Sequence, residues 1–466
     1  MRLIKMAVTI DTHHGFKPFS RSQRCKLQSY GQLDPNILEL SQTGGTLSRS
    51  FELAFQAENI HRSFSTPCLT LPTLLGEDLT CHPPRIEIVN GSGAPVHALV
   101  VEVAIAMASG AHPIPLPSGL GGAYVFRNQN GINIAVAKPV DEEPLALNNP
   151  KGLGGQMPGQ PGLKKSIRIG ETGIRELAAY LLDHGGLAAV PPTALVKFSH
   201  ASFFFTSDEE ATVPSHMPKV ASLQRFVGHG FDAGELGPSF FSTASVHRIG
   251  ILDIRIMNLD RHAGNMLVMT HDHNNTCYVG RVTDLVPIDH GFCLPEWLDD
   301  PYFEWLHWPQ ASVPFSGNEL EYISKLDPFK DAEILRTKIP LLRESAIRVL
   351  IVCTILLKKA AAAGLCLAEI GQMMTREFCG VEELPSEMEN ICSKIKASIP
   401  RGSHSENCKE ETEQGSKCEV GGISFGDLNQ GDWETFLEDF VELLHCVFED
   451  KKRKNKRWNI MKVTEL

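Results

Sequence analysis

The sequence predicts an α+β chain of two lobes, a small one rich in strands followed by a larger, mostly helical one. Three observations carry this reading. A glycine-rich turn leads into a β-hairpin between Pro117 and Val140. Helical periodicity takes over from Asn318 to Cys379. Between them lie Asp260, His262, Asn265 and Asp289, polar side chains set among apolar runs that read as strands.

The composition admits such a core. Of 466 residues, 42% are hydrophobic and 21% charged, as in a globular chain rather than a disordered one. With 44 basic against 55 acidic side chains the net charge is −11, which excludes bulk attraction to nucleic acid and leaves anionic partners to local basic patches. Twelve cysteines occur without a CxxC pair, so they read as reduced thiols and not as a zinc module or disulfide framework. The longest apolar run, Val349 to Leu357, is far below the roughly 20 residues that cross a bilayer, so no transmembrane segment is expected.

In chain order, residues 1–84 lack sustained periodicity and are expected to be a poorly ordered extension. Residues 85–227 form the first lobe. RIEIV (Arg85 to Val89) alternates like a strand, and HALVVEVAIAMASG reads as a buried segment ending at Gly110. The AYVF run, the Asn130-Gly131 pair and the alternating INIAVAK run spell the hairpin, with Ile132, Ile134, Val136 and Lys138 on one face. Residues 148–170, rich in glycine and carrying Lys151, Lys164, Lys165 and Arg168, read as a mobile basic loop. ETGIRELAAYLLDHGG then gives a helix with Glu176 in its middle and a Gly185-Gly186 stop. Ser222 to Val227 is a short extended segment. Residues 228–393 form the second lobe around a core helix in LRESAIRVLIVCTILLKKAAAAG. Residues 394–431 are polar and expected to be a disordered linker. Residues 432–466 give an amphipathic helix, with Trp433, Phe436, Leu437, Phe440, Leu444 and Val447 on one side, and a basic tail from Lys451 to Arg457.

The stretch IMNLDRHAGNMLV (Ile256 to Val268) has two explanations. Its polar groups either cap their own backbone or are ordered by metal and phosphate. The order of features along the chain favours the second. A glycine-rich turn precedes a strand ending A-V-A-K; a helix with a central Glu follows. Then come an Asp with an Asn five residues on and, 24 residues beyond that Asn, Asp289-His290-Gly291. Protein kinases share this order, although Tyr124 stands where the third glycine of G-x-G-x-x-G would fall. A transferring phosphoryl group spreads negative charge over its oxygens, and the residue types suit that. Ser118, Gly119, Gly121, Gly122 and Ala123 would let backbone approach the phosphates of ATP. Lys138 would pair with them, held by Glu176, with Glu171 the less central candidate. Asn265 and Asp289 offer the oxygen ligands Mg²⁺ requires. Asp260 would orient or deprotonate the attacking hydroxyl, and His262 would share that proton or steady the phosphate charge. Val136 and the segment Gln224, Arg225, Phe226, Val227 would form the adenine pocket and hinge.

The loop D-R-H-A-G-N resembles that of the phosphatidylinositol 3- and 4-kinases. KPVDEEPLALNNPKG, VHRIGILDIRIMNLDRHAGNMLV, LVPIDHGFCLPE and DPYFEWLHWPQAS further resemble the plant gamma-class, type II phosphatidylinositol 4-kinases, densely over residues 85–380. The resemblance implies a bilobal protein-kinase-like fold and ATP- and Mg²⁺-dependent transfer to the inositol 4-hydroxyl of phosphatidylinositol. It also implies Lys138 at the nucleotide phosphates, Asp260 and Asn265 in the catalytic loop, and Asp289 at the metal. Nothing before residue 85 looks like the ubiquitin-like repeats of many gamma-class members, so a short form is expected. Residues 150–170 hold no cysteine, so the acyl anchor of animal type II enzymes is not implied. Some gamma-class relatives are held to phosphorylate proteins, so a protein serine/threonine kinase stands as the alternative, with a non-catalytic scaffold third. The expected location is cytoplasmic and peripheral to membranes, through the basic loop or the basic tail, or nuclear through that tail.

Overall fold

The first lobe is built on an antiparallel sheet, seen in a computed structural model that describes residues 84–201, 203, 218–269, 283–379, 382–399 and 422–464. The expected N-terminal extension up to residue 83 lies outside the described residues. The elements of this lobe are β1 (Arg85–Asn90), α1 (Ala94–Ala108), β2 (Ile114–Pro115), β3 (Tyr124–Arg127), β4 (Asn133–Pro139), α2 (Thr172–Leu182), β5 (Thr193–Ser199) and β6 (Lys219–Arg225). The strands order as β1-β5-β6-β4-β3-β2. α1 covers one face with Val96, Leu99, Val100 and Val103, buried against Phe126, Ala135, Ala137 and Phe198. α2 lies against β5 and β6 and shares its core with the second lobe.

Alternation along β4 explains how a lysine comes to finish an apolar run. Ala135 and Ala137 are buried beneath α1, while Val136 and Lys138 point to the opposite, half-open side. Ile132 departs from the expected face: β4 starts at Asn133, and Ile132 sits in the turn at 60% exposure. The turn forms as its sequence demands, with Gly131 at φ +75° and Asn128 Oδ1 accepting from the N–H groups of Asn130 and Ile132.

The loop expected to be mobile is fastened. Lys151 Nζ donates to the carbonyls of Leu116 and Pro117, at 2.9 and 3.1 Å, and Arg168 pairs with Glu296 at 2.7 Å. Ile167 and Ile169 are buried in the core. Paired side chains and apolar anchors outweigh the freedom that glycine content implied.

The second lobe comprises β7 (Phe231–Asp232), α3 (Thr243–Arg255), β8 (Met266–Met269), β9 (Asp284–Pro287), β10 (Trp297–Leu298), α4 (Gly317–Lys325), α5 (Pro328–Lys338), α6 (Glu344–Ala362) and α7 (Leu367–Met374). After these come β11 (Glu377–Cys379), β12 (Glu382–Leu384), α8 (Glu387–Ser398), β13 (Ile423–Ser424) and α9 (Gln430–Thr464). α6 is buried along nearly its whole length, so an apolar run too short for a bilayer serves as the core helix. The linker boundaries at 394 and 431 need correction. α8 continues to Ser398 because Ile395 and Ile399 are buried, and β13 pairs with β10 while Phe425 packs on Trp433 and Phe436. The basic run from Lys451 is also not a tail, because α9 continues through it to Thr464.

Gly122 shows how the fold shapes the site. A Cβ there would lie 2.0 Å from Glu142 Oε2 and 2.8 Å from Glu142 Cβ, while its N–H donates to Glu142 O at 2.8 Å. Gly122→Ala is therefore expected to lower stability by roughly 1–3 kcal/mol in urea unfolding, because backbone has to move. An unchanged midpoint would contradict the packing described.

Candidate active site

Three elements converge on one ammonium group. Lys138 of β4 donates to Glu176 Oε1 of α2 at 2.7 Å and lies 2.9 Å from Asp289 Oδ1, just past β9. Burial opposes the charge on Lys138, but Asp289 and Glu176 outweigh it, and the ammonium titrates above its ordinary range. Burial would raise the Asp289 carboxyl, yet Lys138 holds it below the usual carboxylate range. Glu176, almost fully buried, stays raised by burial despite Lys138. Its second oxygen accepts the backbone N–H of His290 at 3.1 Å, so one carboxylate fixes both the lysine and the Asp-His-Gly turn. Glu171, the alternative partner, instead pairs with Arg175 and Arg343.

Asp289 has φ +55°, a left-handed backbone uncommon outside glycine and best tolerated by Asp and Asn. Gly291 packs closely on α2: a Cβ there would lie 3.0 Å from Thr172 Cβ, so the threonine would have to give way. Met266 pairs with Pro287 across β8 and β9, and Ile288 N–H donates to Asn265 O at 3.0 Å, which brings Asn265 and Asp289 to one end of that hairpin. The Asn265 amide nitrogen donates to Asp260 O at 3.0 Å, turning its oxygen away. One carboxylate and one amide oxygen are hard donors, and no group of three His, Cys, Asp or Glu side chains that could cage a metal occurs among the described residues. Such a sparse set fits a divalent ion that keeps water and substrate phosphates in its shell.

The catalytic loop is held from beneath by Asp253 of α3. Its carboxylate accepts from Arg261 Nε at 3.0 and 3.1 Å, Asn258 Nδ2 at 2.9 Å and Trp305 Nε1 at 3.0 Å, all in the interior. Arg261 Nη1 then reaches the carbonyls of Asn265 and Ile288, at 2.6 and 2.8 Å. The expectation that metal and phosphate order all these polar groups is thus corrected. Arg261 and Asn258 are ordered by Asp253, and Asn265 by the loop backbone, which leaves Asp260 half-buried and His262 exposed. Burial raises the Asp260 carboxyl above the usual range, against the positive charges of His262 and Lys164.

The glycine-rich turn closes at its base where Leu116 N–H donates to Ala123 O at 2.8 Å. Ser118 and Gly119 are exposed, and Gly119 has φ +84° with open space around its Cα. Gly121 and Gly122 are glycine for another reason, close packing against Glu142 and Pro144. Asn149 Nδ2 holds Leu120 O at 2.8 Å from the same side. In the hinge, Val136 pairs with Gln224 across β4 and β6, and Gln224 Nε2 donates to Thr193 Oγ1. Arg225 turns to Glu102 of α1, and the N–H groups of Arg225 and Phe226 are taken by Pro192 and Ile134. At the end of the segment the Val227 N–H has no hydrogen bond among the described residues, while its carbonyl lies 2.8 Å from His229 Nδ1.

Three features escaped the sequence reading. One is Asp253, readable only as an Asp five residues before Asn258. A second is the interior cluster of Glu142, Lys219, Asp141 and Tyr124 beneath the glycine turn. The third is the ion-pair chain Arg168–Glu296–Arg343–Glu171–Arg175, which ties α2 to the second lobe.

A family model described as phosphatidylinositol 3- and 4-kinase matches residues 120–370, which contain the groups placed above except Glu102, Leu116, Ser118 and Gly119. The chain belongs to that family. Phosphatidylinositol 4-kinase gamma 1 of Arabidopsis thaliana is 60% identical over 401 residues, spanning 84% of this chain and 69% of that protein. Phosphatidylinositol 4-kinase gamma 8 of the same plant is 57% identical over 431 residues, 91% and 78% of the two chains. A rice relative, phosphatidylinositol 4-kinase gamma 4, is 40% identical over 309 residues, 64% and 51% of the two. As a phosphatidylinositol 3-/4-kinase family member the chain uses ATP with a divalent metal.

If Asp253 carries the catalytic loop, Asp253→Ala leaves a buried guanidinium uncompensated and should cost about 3–5 kcal/mol in denaturant unfolding. A loss under about 1 kcal/mol would remove that role.

Proposed function

We propose that the chain transfers the γ-phosphoryl group of ATP to the 4-hydroxyl of phosphatidylinositol, with Mg²⁺ as the metal. The triad of Lys138, Glu176 and Asp289 carries the reading, since it joins a phosphate-binding cation to a metal-binding carboxylate across the two lobes. Asp289 and Asn265 would hold Mg²⁺, which when bound would supply positive charge against that developing on the phosphoryl group. Lys138 meets the nucleotide phosphates from β4, kept charged and in place by Glu176. Gly119 and Ser118 allow the backbone of the turn to close over them. Asp260 accepts the proton of the attacking hydroxyl, a task suited to a carboxylate whose affinity for protons burial has increased. His262 lies exposed beside it and steadies the transferring charge. Phosphatidylinositol is met at the membrane surface from one side, and no helix among the described residues is long and apolar enough to cross a bilayer.

Incubation with labelled ATP and phosphatidylinositol in mixed micelles should yield phosphatidylinositol 4-phosphate. Lys138→Ala and Asp289→Ala should each lower kcat at least ~100-fold, the scale for losing one preorganised charge-stabilising group. An active preparation that labels only protein would favour the serine/threonine kinase reading instead.

The pH profile tests Asp260 separately. Because burial raises its carboxyl, activity that needs the ionised form should fall away, as pH is lowered, sooner than for an ordinary carboxylate. A kcat/KM profile whose acid limb lies at or below the usual Asp range would count against Asp260 as base.

A further inference from the structure

Segment 296–304 supports two groups far apart in sequence. On one side it holds the turn around Lys164: Glu296 N–H donates to Ser166 O at 2.9 Å, Ser166 Oγ donates to Asp299 at 2.7 Å, and Arg168 grips the Glu296 carboxylate. On the other it carries the catalytic loop, with Arg261 N–H donating to Tyr302 O at 3.0 Å and Glu304 N–H to Arg261 O at 2.9 Å. The turn itself is closed by Gly162 N–H to Ile167 O and Ile167 N–H to Lys164 O, both 2.9 Å, so Lys164 sits near its tip. Lys164 is thus presented on a fixed support one residue stretch away from Asp260.

The lysine has no structural occupation there. It is half-buried, and its ammonium makes no hydrogen bond or ion pair among the described residues. It does not contact Asp260 as an ion pair, yet its charge acts on that carboxyl. The two groups hang from one segment, and the ammonium and the carboxylate do not pair with each other. In phosphatidylinositol the 4-hydroxyl lies directly across the ring from the carbon bearing the phosphodiester. An inositol ring seated with its 4-hydroxyl on Asp260 therefore carries its negative charge to the far edge.

We propose that the Lys164 ammonium binds the phosphodiester of the acceptor lipid and so selects which ring hydroxyl meets Asp260. This rests on Asp260 receiving the acceptor hydroxyl. Lys164 is then a specificity-determining residue for an inositol phospholipid, and a serine or threonine side chain offers it nothing. A charge-assisted hydrogen bond of this kind corresponds to roughly 10- to 100-fold in acceptor affinity.

The test compares wild type, Lys164→Ala, Lys164→Arg and Lys330→Ala, the last removing an exposed cation on α5. Three quantities are measured: KM for phosphatidylinositol in mixed micelles, inhibition of that reaction by water-soluble glycerophosphoinositol, and KM for ATP in acceptor-free ATP hydrolysis. Lys164→Ala should raise KM for the lipid and weaken glycerophosphoinositol inhibition by that same factor, with KM for ATP unchanged. Lys164→Arg should restore both, and Lys330→Ala should match wild type. The proposal is overturned if Lys164→Ala leaves acceptor kinetics unchanged, or if it raises KM for ATP. It is equally overturned if the effect appears with micelles but not with the soluble headgroup, which would make Lys164 a membrane-surface contact, or if glycerophosphoinositol does not inhibit wild type. A wild-type chain that hydrolyses ATP but phosphorylates no lipid would instead defeat the proposed function, and the role of Lys164 with it.

Discussion

A buried carboxylate, Asp253, is what the geometry of the site depends on. It gathers a guanidinium, an amide and an indole N–H in a place that water does not reach. Ion pairs in the interior are poor sources of net stability, because desolvation consumes most of their attraction. Their value here is positional. Arg261 is fixed at one end by Asp253 and at the other by two carbonyls, one from the catalytic loop and one from the strand leading to Asp289. The Asp-His-Gly turn and the loop of Asp260 therefore cannot shift independently, and a reaction that works by placement is served by that rigidity.

The glycine turn shows the same division between support and contact. Its exposed arc, Ser118 and Gly119, has the freedom to approach phosphate. The following glycines are pressed against Glu142, whose carboxylate is satisfied by Tyr124 and Lys219. Tyr124, the residue in place of a third glycine, is thus part of the floor. Asn149 and Lys151 take up three carbonyls of residues 116–120. A loop rich in glycine need not be loose when its backbone oxygens are spoken for.

Much of this was legible in the sequence wherever function imposes residue type and spacing at once. Lys138, Glu176, Asp260, Asn265 and Asp289 are separated along the chain, yet their order is enough to bring them into one picture, and the lysine, helix glutamate and Asp-His-Gly turn do meet. Val136 and Lys138 of the hairpin were readable together because alternation places them on one face. What stayed hidden were partners whose pairing depends on tertiary approach. Nothing local marks Asp253 as the mate of Arg261, or shows that Arg225 will turn to α1. The basic loop was misjudged because composition reports propensity for disorder, whereas Ile167, Ile169 and two paired cations decide its order. The linker limits failed for a related reason, since a few buried side chains, Ile395, Ile399 and Phe425, outweigh a polar neighbourhood.

The chain of alternating charges from Arg168 through Glu296, Arg343 and Glu171 to Arg175 has a consequence for control. Many phosphotransferases are silenced by swinging the helix that bears the lysine's partner out of register. Here that helix is moored to the larger lobe at its first turn, and displacing it would strand several charges in the interior at once. The pose of that helix is thereby written into the electrostatics of the larger lobe and not only into its own packing.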